Sequence, residues 1–195
     1  MIVNILKSLP WYFVGAAIFA VPSILFILYL FAGVSSDGFF QPDWIINNFM
    51  DADGILAQGQ DLTEAAEDFF IMFGWLNFWL LISAITVSFS WSIGSHFLNI
   101  NEPGKAKFYG ITWIIVSGLC IAVLIVINTH ILNGIFSSSP FRASQDLSGP
   151  NVLFMMMLTT IYYGLMYYVS TVLGTARQAR SAVLFANKLP ARNFL

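Results

Sequence analysis

Four long apolar stretches without Lys, Arg, Asp or Glu dominate this chain of 195 residues. They cover residues 11–34, 69–98, 108–136 and 152–175. Each reaches or exceeds the roughly 20 residues that a helix needs to cross a hydrocarbon core of ~30 Å. Because lipid forces the backbone to satisfy its own hydrogen bonds, runs of this length predict helices. The sequence therefore predicts an all-α integral membrane protein with four transmembrane helices in a single domain.

The composition supports this class of protein. The chain is 58% hydrophobic and 9% charged, whereas a soluble domain carries about 25% charged residues. A soluble core of this size could not hide so much apolar surface, but a bilayer can. The first stretch is too long for the apolar region of a signal peptide and lacks a convincing cleavage site, so we expect a retained helix.

The basic residues predict the orientation of the helices. Seven of the eight fall before the first stretch, between the second and third, or after the fourth: Lys7, Lys105, Lys107, Arg177, Arg180, Lys188 and Arg192. Four spans place these segments on one side, and Arg142 lies on the other. The positive-inside rule then predicts that both termini are cytoplasmic. The sequence lacks an Asn-X-Ser/Thr glycosylation acceptor, which favours the bacterial inner membrane as the location.

Residues 35–68 form the first outer loop in this topology, with eight of the ten acidic residues and no basic residue. After the helix-starting sequence Gln41-Pro42-Asp43, apolar residues cluster on one side of a helix: Trp44, Ile45, Phe49 and Met50. This pattern predicts a short amphipathic helix that lies in the outer interface of the membrane or docks on a partner subunit. Because the sequence from Asp61 to Glu64 resembles a capping box, we expect one helix of about 37 residues to begin there.

Small and hydroxyl residues of the second stretch follow two neighbouring stripes of a helix. The members are Ser83, Thr86, Ser90 and Gly94 on the first (the Ser83 stripe) and Ser88, Ser92 and Ser95 on the second (the Ser88 stripe). Small residues let helix backbones approach closely, and hydroxyls bond across helix contacts, so the stripes predict a packing surface. The alternative is a hydrated pathway lined by hydroxyls, which is less favoured because no charged residue accompanies the stripes.

A second polar group (the Asn128 group) lies in the outer part of the third stretch and consists of Asn128, Thr129, His130 and Asn133. It predicts a buried set of hydrogen bonds between helices, or alternatively a binding site. The other histidine, His96, falls on the opposite side of the bilayer in this topology, and Cys120 is the only cysteine. One chain cannot then assemble a His- or Cys-based site, so we expect no metal and no cofactor.

The fourth stretch and the tail carry further candidates for contacts. Four tyrosines near mid-membrane should face other helices, with acceptors from the Ser83 stripe or the Asn128 group: Tyr162, Tyr163, Tyr167 and Tyr168. Residues 176–195 form a basic tail, in which Arg177 and Arg180 are expected on one face of a continuing helix. The simpler interpretation is a topology anchor that touches anionic headgroups, and the alternative is a docking helix for a cytoplasmic partner.

These features predict no catalytic residue, because the sequence lacks the common nucleotide-binding, hydrolase and zinc-protease motifs. The leading hypothesis is a non-enzymatic subunit of a larger multiprotein membrane assembly of the secretion, conjugation or energy-transducing type. Its expected partners are other membrane subunits, including further copies of itself, and the lipid bilayer, but not nucleic acid. The alternatives are an oligomeric transporter or channel with a hydroxyl-lined path along the second span, and a metal- or quinone-associated redox subunit that uses His130.

Overall fold

The computed structural model of the protein describes residues 2–31, 62–98, 105–136 and 150–184. These residues form four α-helices, numbered in chain order: α1 is Ile2–Phe31, α2 is Leu62–Gly94, α3 is Lys105–Phe136 and α4 is Pro150–Gly174. Two 3₁₀ segments follow, Ser95–Phe97 after α2 and Arg177–Ala182 after α4. The regular structure within these ranges is all helical, as the sequence predicts.

All four helices are long and apolar enough to cross a membrane. The candidate spans are Leu9–Phe31, Glu67–Phe97, Lys107–Ile135 and Val152–Gly174. Each predicted stretch coincides with one of them over most of its length, so the prediction of four membrane-length helices is confirmed. These helices mark the chain as a multi-pass integral membrane protein. The predicted amphipathic helix with Trp44, Ile45, Phe49 and Met50 lies outside the described residues.

The end of α2 differs from the expected single helix of about 37 residues. The helix begins at Leu62, directly after the predicted cap, but its 33 residues end at Gly94, where a 3₁₀ turn takes over. In that turn Ser95 Oγ donates a hydrogen bond of 2.7 Å to Ser92 O. A side chain that bonds to a carbonyl of the preceding turn competes with the helical ladder. The expected length was therefore wrong at the carboxyl end of the helix.

The end of α4 also differs from the prediction, because the helix stops at Gly174 instead of continuing through the two arginines. Thr175 N–H still donates to Thr171 O, but Ala176 N–H donates to Ser95 Oγ at 2.9 Å. Since Ala176 gives its N–H to another segment, the ladder of α4 ends there. Arg177 and Arg180 lie on the separate 3₁₀ segment Arg177–Ala182, so the predicted continuation of the helix was wrong.

The chain groups into two compact units, and each helix contributes one part to each unit. The first unit comprises Met1–Val21, Leu81–Leu124 and Tyr162–Leu195, and the second comprises Pro22–Leu80 and Ile125–Ile161. Charge separates between them within the described ranges. The described basic residues all belong to the first unit and are Lys7, Lys105, Lys107, Arg177 and Arg180. The described acidic residues all belong to the second unit and are Glu64, Glu67 and Asp68.

Each unit has its own apolar contacts between helices. In the first unit, a buried cluster joins α2, α3, α4 and the segment after α4 through Trp91, Trp113, Val172 and Val183. In the second unit, edge-to-face ring pairs join α1 to α2, with centroid distances of 6.2 Å for Phe26–Phe73 and 5.3 Å for Phe31–Trp75. Lipid is as apolar as these side chains, so hydrophobic burial does not determine how the helices pack against each other. Ring pairs of this kind have a preferred geometry and therefore help to orient the helices.

Candidate functional site

The Ser88 stripe of α2 is buried at contacts with α1 and α4 in the first unit. Ser92 Oγ donates to Gly174 O at 2.8 Å, and Ser95 Oγ accepts the hydrogen bond from Ala176 N–H. Ser88 Oγ lies 3.1 Å from the hydroxyl oxygen of Tyr12 on α1. All three hydroxyls therefore bond to other segments of the same chain, which is the arrangement expected of a helix-packing surface.

The ends of α2 and α4 are linked by a set of hydrogen bonds that we call the polar joint, formed by Trp91, Ser92, Ser95, Gly174, Thr175 and Ala176. Besides the two serine contacts, Trp91 Nε1 donates to Thr175 Oγ1 at 3.0 Å, and Thr175 Oγ1 donates to Thr171 O. The last carbonyls of a helix have no partner within it, and hydrocarbon cannot supply one. The polar joint supplies a partner for Gly174 O from the neighbouring helix.

Two glycines allow close approach of helices in the first unit. A Cβ on Gly174 would lie 2.7 Å from Ser92 Oγ and 3.0 Å from Tyr12 Cβ, so no larger residue fits without movement. A Cβ on Gly15 would lie 3.1 Å from Leu173 Cδ1 and 3.2 Å from Ser170 Cα. The small-residue rule for membrane helices therefore applies to α1 against α4 as well as to α2 against α4.

Tyr12 is a contact residue that the sequence did not indicate. Its side chain is 1% exposed, and its hydroxyl donates to Ile85 O at 3.1 Å while lying beside Ser88 Oγ. A tyrosine inside an apolar stretch needs a partner for its hydroxyl. The sequence therefore contained two signals that Tyr12 lies at a helix contact: its hydroxyl needs a partner, and the small residue Gly15 follows three residues later.

The Ser83 stripe has a different environment. Ser83 and Gly94 are half-buried, whereas Thr86 and Ser90 are exposed. A Cβ on Gly94 would meet no atom within 4 Å. The described residues therefore cover only part of this stripe, and its role stays a prediction.

The structure separates the members of the Asn128 group. Asn128 is fully buried, Thr129 is half-buried, and His130 and Asn133 are exposed. Asn128 Oδ1 accepts a hydrogen bond of 2.9 Å from Thr159 Oγ1, and Asn128 Nδ2 donates to Thr160 Oγ1 at 3.2 Å. These hydrogen bonds from Asn128 to Thr159 and Thr160 link α3 to α4 in the second unit. The sequence singled out Asn128 but neither threonine.

We expect Asn128→Ala to lower the free energy of unfolding by about 1 kcal/mol, since interhelix hydrogen bonds in membranes average about 0.6 kcal/mol each. Asn133→Ala on the same helix is the matched control, because that amide is exposed and its loss should cost less than about 0.5 kcal/mol. Reversible unfolding in mixed micelles, followed by tryptophan fluorescence, measures both. Equal effects of the two substitutions would show that the buried amide contributes nothing specific.

The tyrosines of α4 face other parts of the chain, and three of them have hydrogen-bond partners outside their own helix. Tyr163 and Tyr167 are buried, and Tyr167 Oη lies 3.2 Å from Ser117 Oγ on α3. The Tyr162 hydroxyl donates to Phe19 O on α1 at 2.9 Å, and the Tyr168 hydroxyl donates to Leu184 O at 3.0 Å. Phe19 O and Leu184 O lie outside the Ser83 stripe and the Asn128 group, so neither of these groups accepts the hydroxyl hydrogen bonds of Tyr162 and Tyr168.

Residues 176–184, which we call the cap, pack against helix ends in the first unit. Ala179, Ala182 and Val183 are buried, and Val183 belongs to the apolar cluster with Trp91 and Trp113. Ala182 O lies 3.7 Å from the position of a Cβ on Gly110 of α3. Ala179, Ala182 and Val183 of the cap are therefore buried by other parts of the chain, whereas Leu184 is exposed.

Among the described residues, no three His, Cys, Asp or Glu side chains lie where they could hold a metal ion. The fold and these contacts define an all-helical, multi-pass integral membrane protein whose polar groups link helix to helix. No known family, no curated protein and no solved structure matches the chain.

Proposed function

We propose that the protein is a non-enzymatic integral membrane subunit of a larger multiprotein assembly of the secretion, conjugation or energy-transducing type. The proposal is carried by the small share of its spans that the chain buries by itself. In the most apolar stretch of each span, 28% is buried in α1 and in α4, 39% in α2 and 17% in α3. Most residues of these stretches are therefore at least partly exposed and can face lipid or other membrane proteins.

The Ser83 stripe supports a partner on α2 in particular. Thr86 and Ser90 are exposed inside the span Glu67–Phe97, and Gly94 has open space beside it. Small and hydroxyl residues are enriched where transmembrane helices pack, because they allow close approach and interhelix hydrogen bonds. We therefore place the docking site for a helix of another subunit on this stripe. Trp44, Ile45, Phe49, Met50, Arg177 and Arg180 are further proposed contact residues.

The proposed topology has both termini in the cytoplasm, with the bacterial inner membrane as the location. Its support is the distribution of charge, because the described basic residues all belong to the first unit and the described acidic residues all belong to the second. Positive charge next to membrane spans is retained on the cytoplasmic side. A cysteine-labelling experiment with a membrane-impermeant reagent tests this orientation independently of the partners.

The assembly is tested by gentle extraction from native membranes, size separation and mass spectrometry of what migrates with the protein. We expect other membrane or soluble proteins at constant ratio, and we expect Ser90→Leu to reduce their recovery at least tenfold. Ala17→Leu is the matched control, because Ala17 is a small exposed residue of α1 outside the proposed face. A chain that migrates alone or only with copies of itself contradicts the proposal.

The Ser83 stripe also favours one alternative function. If several copies of the chain turned this stripe toward a common axis, its hydroxyls would line a route between subunits. The Ser88 stripe does not support such a route, because its hydroxyls bond to other segments of the same chain. Solute flux into liposomes that contain only the purified protein distinguishes a channel or transporter from a docking subunit.

A further inference from the structure

We infer that the cap and the start of α3 form a binding surface for the headgroup of an anionic phospholipid. The span of α4 ends at Gly174 and the span of α3 begins at Lys107. The cap begins two residues after Gly174, where the chain leaves the hydrocarbon core. At this depth its residues lie at the level of the lipid headgroups. This inference does not rest on the docking site proposed for the Ser83 stripe, but it assigns to lipid Arg177 and Arg180, which are also proposed contact residues of the assembly.

The backbone places several basic residues near this level. Residues three apart share a face of a 3₁₀ helix, so Arg177 and Arg180 share one face. Ala179 and Ala182 share another face and are buried. Because Ala182 O approaches Gly110, the cap also passes within one helical turn of Lys107, which is exposed.

The electrostatic environment favours an anion. The described residues of the first unit include five basic residues, Lys7, Lys105, Lys107, Arg177 and Arg180, and no acidic residue, and the sequence assigned to that unit contains one acid, Glu102. Guanidinium groups match phosphate oxygens in pairs, and basic residues next to a membrane attract anionic lipids. A phosphodiester headgroup at membrane depth is the ligand that this charge and this position fit.

The cap is attached to the helices at three points, which distinguishes it from a charged segment without fixed geometry. Ala176 N–H bonds to Ser95 Oγ, Val183 is buried with Trp91 and Trp113, and Leu184 O accepts the Tyr168 hydroxyl. A binding surface whose backbone is already fixed loses less entropy when a ligand orders its side chains. Binding should therefore depend on the folded cap and not only on the number of charges.

The test measures binding of phosphatidylglycerol to the full chain in detergent by native mass spectrometry, with phosphatidylcholine as the zwitterionic probe. We expect a preference for phosphatidylglycerol, and we expect Arg177→Gln with Arg180→Gln to weaken it on the order of 30-fold, about fivefold for each surface cation. Lys188→Gln with Arg192→Gln removes the same charge outside the cap and should change binding less than threefold. Equal losses in the two double variants would overturn the inference.

A second pair of variants tests whether the folded cap matters. Val183→Asp removes a buried contact of the cap, whereas Leu184→Asp adds the same charge at an exposed position. We expect the first to abolish the preference for phosphatidylglycerol and the second to keep most of it. Equal binding by the two variants, no preference in the natural protein, or equal competition by inorganic phosphate would each overturn the inference.

Discussion

Replacing Gly174 with alanine is expected to destabilise the folded protein by about 2 kcal/mol, within the range typical of overpacked sites. The added methyl group would lie 2.7 Å from Ser92 Oγ and 3.0 Å from Tyr12 Cβ, where α1 and α2 both meet α4. Either the helices separate or the bond from Ser92 Oγ to Gly174 O is lost. Unfolding in mixed micelles measures the change in free energy.

Gly164→Ala on the same helix is the matched control. A Cβ at Gly164 would meet no atom within 4 Å, so alanine should fit there and add helix propensity of up to about 1 kcal/mol. The two substitutions are chemically identical and should have opposite signs. If Gly174→Ala proved neutral or stabilising, the close contact of α4 with its neighbours would not exist in the membrane protein.

Replacing Val183 with aspartate is expected to detach the cap from the helices. Val183 is 2% exposed and lies against Trp91 and Trp113. Burying an unpaired carboxylate there would cost several kcal/mol, so the cap should leave the cluster instead. Trypsin cleavage after Arg177 and Arg180, followed by mass spectrometry, should then accelerate at least tenfold.

Leu184→Asp is the control for this prediction, because the side chain of Leu184 is 57% exposed and its backbone carbonyl accepts the hydrogen bond from Tyr168. It should leave the cleavage rate within about twofold of the natural protein, since exposed substitutions change stability little. Accessibility of Trp91 and Trp113 to an aqueous quencher should rise only in the Val183 variant. Equal protection of the cap in both variants would show that the apolar cluster does not hold it.

The helices could be predicted because the relevant signal is local. Transfer of each residue into hydrocarbon contributes its own free energy, so long uncharged runs identify spans without any knowledge of their neighbours. The start of α2 at Leu62 agrees with the capping sequence that begins at Asp61, a residue outside the described ranges. The carboxyl ends of α2 and α4 could not be predicted, because they depend on the bond between Ser95 and Ala176, which are 81 residues apart.

The candidate site was predictable only in part, for the same reason. Helical spacing placed Ser88, Ser92 and Ser95 on one stripe, but it could not say that their partners are Tyr12, Gly174 and Ala176. Proximity in sequence was misleading for the Asn128 group, because neighbouring residues of a helix point in different directions. Asn128 is therefore buried while His130 and Asn133 are exposed.

The sequence by itself determined that this is a protein of four membrane-length helices, and it placed eight of the ten acidic residues in residues 35–68, where no basic residue falls. Both can be read from the sequence because each residue contributes its own transfer free energy and its own charge, whatever its neighbours in space are. Only the tertiary structure decided that the Ser88 stripe is covered, that the Ser83 stripe is partly open and that the cap folds back on the helices. These outcomes depend on the rotation and register of helices against each other, which a few distant contacts such as those of Gly174 set.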